Sequence, residues 1–310
     1  MLEEALEELG LKSIIDVHVH PLPELPEDEL LAELEKAHVE RCVLLALDLD
    51  PGELDDEGFR SRFLERMLNA GIWNLGALKL AKEILRRGRT PNEHVAELVR
   101  RHNRRFLGFG SVNPSKPRSY VEEKLAELED GGFSGIKLIP TLQFFCPNKA
   151  RGNLKRILRF CERSGLVVMF HTGCDPGPWE SPVLSECANP AMLRPLVRRF
   201  RRLKFILAHA GSYSATTPGI WFQEALELAS EHQNVWLDVA AVPYLLTEHV
   251  FVVALRARGL LNRVLFGSDY PVVEGSSIRG PAEAILASGE LTPDEKASVM
   301  ALNAREFLSC

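Results

Sequence analysis

Eight short apolar runs, each followed by amphipathic sequence, set the pattern of this chain. The runs lie at 13–20, 41–48, 106–113, 133–139, 166–172, 204–210, 235–241 and 263–269. Most are continuous rather than alternating, as expected of parallel strands covered on both faces. Segments with helical spacing fall at about 27–38, 57–70, 76–87, 92–104, 118–130, 150–164, 190–202, 217–232, 245–259 and 280–288, with a last one at 293–308. Strand followed by helix, eight times over, predicts an α/β fold of the (β/α)8 TIM-barrel type, one domain over 1–310. A doubly wound sheet is the alternative, and the lack of a GxGxxG after the first run counts against it.

Residues 51–105 are longer than one connection needs. They predict a helical insertion of about three helices after strand 2, serving as part of a lid or as the contact surface of a homodimer. The Pro-rich stretch 174–189 follows the fifth run and suits a loop that covers a substrate. Thr90-Pro91-Asn92-Glu93 and Thr292-Pro293-Asp294-Glu295 each offer a Thr cap, Pro at the first helical position and Glu three residues on. Arginine pairs at 100–101, 104–105, 198–199 and 201–202 precede strands. They read as helix-end cations at the bottom of a barrel, away from its chemistry.

Composition narrows the class. The 310 residues are 45% hydrophobic and 26% charged with net charge −6, which argues against nucleic acid as a partner. Met1 to Gly10 reads as an acidic amphipathic helix, and no apolar run approaches the ~18 residues of a membrane span. The six cysteines contain no CxxC. Their scatter predicts reduced thiols and a cytoplasmic enzyme, with disulfides of the thermophile kind as the alternative.

Polar residues interrupt the apolar runs at particular places. In Ser13-Ile14-Ile15-Asp16-Val17-His18-Val19-His20, the residues Asp16, His18 and His20 stand at i, i+2 and i+4. Strand alternation predicts all three on one face, with Ile15, Val17 and Val19 on the other. That face admits two readings: a pair of hydrogen-bonded core histidines, or two ligands of one cation. His171 closes the fifth run, His209 the sixth and Asp269 the eighth, while Lys137 sits inside the fourth. In a barrel these strand ends converge on one mouth. Imidazole with carboxylate suits zinc or another transition ion better than magnesium or calcium. His38, His94, His102, His232 and His249 lie in helical segments and read as surface or packing residues. Cys174 lacks a partner pattern for a nucleophile and reads as packing.

The motifs Asp16-Val17-His18-Val19-His20, Gly135-Ile136-Lys137-Leu138, Phe170-His171-Thr172-Gly173, Ala208-His209-Ala210-Gly211, Phe266-Gly267-Ser268-Asp269-Tyr270-Pro271 and Asn303-Ala304-Arg305-Glu306-Phe307 run in order along the chain. Together they resemble the amidohydrolase superfamily, in its branch of family-2 hydrolases and related decarboxylases. The resemblance implies that His18, His20, His171 and Asp269 hold one metal ion, zinc or another such as manganese. It implies Asp269 as the base, and His209 as the group that polarises the substrate carbonyl. A two-metal variant would carboxylate Lys137 and place the second ion on His171 and His209. Otherwise Lys137 is a substrate-binding ammonium or a buried structural cation. Relatives commonly read KLHP where this chain has Ile139. Asp16 would orient a ligand from behind or serve structure alone, and Asn303 would serve the final helix.

Asp48, Trp179, Tyr213, Asp238 and Arg279 lie at or just past strand ends and are candidates for shaping specificity. The expected activity is metal-dependent hydrolysis of a small amide, ester or lactone. The alternative is a non-oxidative decarboxylase or hydratase of a small unsaturated or aromatic acid, and a third reading is a barrel that only binds. The expected partner is a small-molecule substrate.

Overall fold

Each apolar run forms a strand, and the eight lie side by side in sequence order. They are β1 (Ile14–Val19), β2 (Val39–Leu45), β3 (Phe106–Gly110), β4 (Gly135–Leu138), β5 (Val167–Gly173), β6 (Phe205–Tyr213), β7 (Val235–Asp238) and β8 (Val264–Leu265). This computed structural model describes residues 2–72, 75–149, 152–273 and 275–308. Cys310 and the first two residues of the helix predicted at 150–164 lie outside them.

Neighbouring strands pair in parallel from β1 through β8. The sheet closes on itself through three backbone hydrogen bonds. Val17 N–H donates to Phe266 C=O (3.0 Å), Asp269 N–H to His18 C=O (2.9 Å) and His20 N–H to Tyr270 C=O (2.8 Å). The fold is therefore the (β/α)8 barrel.

Two apolar layers explain why the runs are continuous. Ile15, Val17, Val43, Phe109, Met169 and Ile206 pack with one another inside the barrel, and Phe307 of the final helix joins them. Ile14 and Val19 belong instead to the larger cluster with Leu30 and Leu34 of the helix Glu27–Lys36. Each such side chain, fully buried, contributes roughly 1.5–3 kcal/mol, so residues on both sides of a strand must be apolar.

The insertion comprises the helices Glu57–Asn69 and Leu75–Gly88, and the third helix, Asn92–Arg101, is the connection that packs on β3. Leu47 and Leu49 beyond β2, Leu85, Leu142 and Trp179 form a separate apolar cluster that fastens the insertion to the barrel. Trp179 sits there against Phe63, ring centroids 5.7 Å apart.

The structure corrects two expectations. Thr292 forms the full capping box with Glu295, but Thr90 does not cap its helix; Pro91 occupies the cap position without a side-chain bond. The Thr90 backbone instead exchanges hydrogen bonds with Leu47 (2.9 and 3.0 Å), so its geometry is set by that bridge. Cysteine scatter also misled: Cys146 and Cys187 form a disulfide joining the loop after β4 to the loop after β5. They are 41 positions apart in sequence, and no spacing motif marks such a pair. Cys42, Cys161 and Cys174 are free and buried. Among the described residues, no helix is long and apolar enough to cross a membrane.

Candidate metal and catalytic site

The site begins with an irregularity in β1. Asp16 pairs with Cys42 and Val19 with Leu44, so three steps on β1 match two on β2. The extra residue is a bulge, which resets the side-chain alternation. Ile15 and Val17 both face the barrel interior, and beyond the bulge His18 and His20 also turn inward to the mouth. Asp16 therefore does not share their face, contrary to strict alternation. Its Oδ1 accepts from the backbone N–H of His18 (2.9 Å) and of Ser268 (3.1 Å), bracing the strand on which the histidines stand. Burial pushes the Asp16 carboxyl up to about 6.

His18 and His20 meet an acid from the far end of the chain. The Nε2 atoms of both lie 3.2 Å from Asp269 Oδ1. Burial alone would raise the Asp269 pKa, but hydrogen bonds and charge from His18 and His20 hold it well below the usual carboxylate range. The ring of His209 lies 4.8 Å from those of His18 and His171, centroid to centroid. Lys137 Nζ stands 3.0 Å from His18 Nε2 and is 1% exposed. Burial pushes it down to about 8. His209 and Asp269 both adopt left-handed backbone, φ +63° and +64°, which is uncommon for residues other than glycine and concentrates at functional sites.

Asp238, at the end of β7, organises the histidines from behind. Its Oδ2 accepts from His18 Nδ1 (2.9 Å), and its Oδ1 from the N–H of His209 (2.8 Å) and of Ala240 (3.1 Å). Against the effect of burial, the charge and hydrogen bond of His18 hold this carboxyl down to about 2. The sequence marked Asp238 only as a possible specificity residue. Its place at a strand end, like the other site residues, was the available signal. His209 Nδ1 donates to Ala240 C=O (2.7 Å), leaving a lone pair on Nε2 of the neutral ring. Burial pushes His20 and His209 down to about 4, and His171 well below its ordinary value.

These groups suit a transition ion. His18, His20 and Asp269 offer donor atoms within 4.8 Å of one another. Ligands each ~2.1 Å from one ion sit roughly 3.0–3.4 Å apart, and the 3.2 Å contacts to Asp269 match that spacing. His18, His209 and Asp238 form a second group, and His171 belongs to neither. Its Nε2 is buried without a hydrogen-bond partner, 3.4 Å from Asp175 Oδ1. A neutral, buried, unpartnered imidazole nitrogen beside the cluster is a free ligand position.

A cavity of about 460 Å³ opens above these residues. Lys137, His171, His209 and Asp269 line it, together with Tyr213, Asp175 and Ile139. The sequence reading missed Asp175, whose Oδ2 accepts from the Thr141 hydroxyl and whose carboxyl burial pushes up to about 7. Tyr213 packs against His209 with its ring tilted by 40°, centroids 4.5 Å apart. The other specificity candidates lie elsewhere. Asp48 accepts from the Tyr120 hydroxyl and the Asn113 N–H, Trp179 is buried under the insertion, and Arg279 pairs with Glu283 on the surface. Cys174 packs with Ala188 and Trp221, and Asn303 donates to the Leu261 and Val264 carbonyls.

A family model described as amidohydrolase matches residues 15–309. No curated protein sequence matches the chain. Among solved structures, an uncharacterised TIM-barrel protein from Bordetella bronchiseptica is 18% identical with a TM-score of 0.69, covering 96% of this chain and 98% of that one. A probable 2-pyrone-4,6-dicarboxylic acid hydrolase from Acinetobacter baumannii, with citric acid bound, is 14% identical (TM-score 0.63; 96% and 100% covered). A 5-carboxyvanillate decarboxylase from Novosphingobium aromaticivorans, with bound manganese, is 13% identical (TM-score 0.60; 91% and 80% covered). At these identities the likeness is one of fold.

Proposed function

The chain belongs to the amidohydrolase family, and from that premise we propose a metal-dependent hydrolase of a small amide, ester or lactone. The observation that carries this reading is the buried contact of Asp269 with both His18 and His20. In our reading His18, His20 and Asp269 hold one zinc or similar divalent ion, with His171 completing the set. Such an ion supplies the Lewis acidity that ionises water near neutral pH. We take Lys137, whose Nζ lies 3.0 Å from His18 Nε2, as a free ammonium beside a single ion; carboxylated, Lys137 would serve a second ion with His171 and His209.

Asp269, ionised and unable to rotate freely, takes the proton of the attacking water and returns it to the leaving group. In our reading His209 takes another role than the carbonyl-polarising one that the resemblance implies. With Nδ1–H engaged by Ala240 and the ring kept neutral, Nε2 accepts a hydrogen bond rather than donating one to a carbonyl. Stabilisation of the developing oxyanion falls to Lys137, the buried cation facing the cavity. That same cation favours a second reading, in which a substrate carboxylate pairs with Lys137 and leaves as CO₂ while a proton from water takes its place on the carbon.

Metal analysis of the purified protein, followed by assays on lactone, ester, amide and carboxylic-acid panels, tests the proposal. We expect one ion per chain, loss of that ion in His18→Ala/His20→Ala, and hydrolysis slowed by ~10²–10⁴ in Asp269→Asn. Release of CO₂ without hydrolysis transfers the site to the second reading. A wild type that takes up no transition metal overturns both.

A further inference from the structure

The cavity is divided by chemistry along its length. Its inner end carries the histidines, Lys137, Asp269 and Asp175, the last 3.4 Å from His171 Nε2. Its outer wall is apolar, made by Leu22 after β1, Leu47 and Leu49 after β2, Ile84 of the insertion, and Pro271 and Val272 after β8. Among the described residues lining this outer part, one is charged: Arg87.

Ile84 and Arg87 are one turn apart on the helix Leu75–Gly88, and so share a face. Two close approaches fix that helix over the mouth. A Cβ on Gly177 would sit 2.7 Å from Ile84 Cδ1, and one on Gly88 would sit 3.2 Å from Leu49 Cδ1. Gly177 also takes φ +73°, so glycine there serves both the turn and the contact. Carboxylates flank the two arginines at the lip, Glu83 against both and Glu24 near Arg86. Glu83 lies 2.8 Å from Arg86 and 2.5 Å from Arg87.

We infer that this outer cavity is a specificity site for an elongated, apolar substrate body ending in a carboxylate, which Arg87 reads at the lip. The reacting carbonyl then lies at the inner end, a placement that rests on the proposed function. A cavity of about 460 Å³ accommodates such a molecule, since ligand sites commonly span roughly 300–1,000 Å³. An apolar wall excludes polar chains, because each unpaired polar group placed there loses its water.

Calorimetric titration of the zinc-loaded protein tests this without turnover. The probes are straight-chain α,ω-dicarboxylates from glutarate to sebacate, and the monocarboxylates of equal carbon number. Monoacid affinity should rise about two- to four-fold per added methylene until the wall is filled. At one chain length the diacid should bind about five-fold more tightly than its monoacid, the scale of an exposed ion pair. Arg87→Gln should erase that advantage and leave the monoacid unchanged. Arg86→Gln is the control: it shares Glu83 and the helix end but does not line the cavity, so it should keep the advantage. The inference is overturned if no diacid is preferred at any length, if both arginine variants lose the preference alike, or if neither class of acid binds. Because only binding is read, a decarboxylase would leave this result standing. A failed diacid preference would equally leave the hydrolase reading intact.

Discussion

Asp238 governs two imidazoles without entering the cavity. It fixes the His18 tautomer through Nδ1 and holds the backbone of His209, whose ring Ala240 orients through Nδ1, so each ring keeps Nε2 free of these partners. Asparagine has the same shape but only one accepting atom, and cannot satisfy His18 Nδ1 on one side and two backbone N–H groups on the other. We therefore predict that Asp238→Asn weakens zinc affinity about 10- to 100-fold, measured by competition with a chromophoric chelator. Asp269→Asn should instead lower kcat by ~10²–10⁴ as a proton acceptor is removed, measured on the best substrate from the panel. Residue identities were legible because His18, His20, His171, His209 and Asp269 interrupt apolar runs. Hydrogen-bond partners were not, because the atoms that Asp238 bonds come from β1, β6 and the segment beyond β7.

Strands and helices followed the hydrophobic pattern closely, since parallel strands buried on both faces leave long apolar runs. The bulge in β1 left no such trace: Val17 and Val19 look equivalent in sequence, yet one faces the interior and the other the helices. Helix ends show the same limit. Two near-identical Thr-Pro motifs differ because Thr90 is bound to Leu47, whereas Thr292 is free to cap. Thr292→Ala should cost about 1 kcal/mol of stability, measured by urea unfolding. The box also carries a pH dependence. Hydrogen bonding by Arg256 holds Glu295 down to about 2, below its ordinary 4.5. A lowered folded-state pKa stabilises above the unfolded value and fades as pH falls. The stability gap between wild type and Glu295→Gln should therefore be full above pH 4.5 and close between pH 4.5 and about 2.

At the scale of the molecule, the insertion and the loops after β4 and β5 form a second apolar body on the rim of the barrel. The Cys146–Cys187 disulfide closes a 41-residue span across this rim. By loop entropy, replacing both cysteines with serine should cost up to ~4 kcal/mol, measured by thermal unfolding, with the pair itself read by peptide mapping under non-reducing conditions. The seam between β1 and β8 has a consequence of another kind. Asp16 and Ser268 are joined across 252 positions of sequence, and the same seam brings His18 and His20 to Asp269. Contacts of such separation are the slowest to form, since the chain must order a great loop before the contact returns anything. We therefore predict that the reactive centre lies on the last suture of the folding reaction. In pulse-labelled refolding, the amides of Val17, His20 and Asp269 should gain protection after those of β5 and β6, and a divalent ion should hasten that final step without altering the earlier ones.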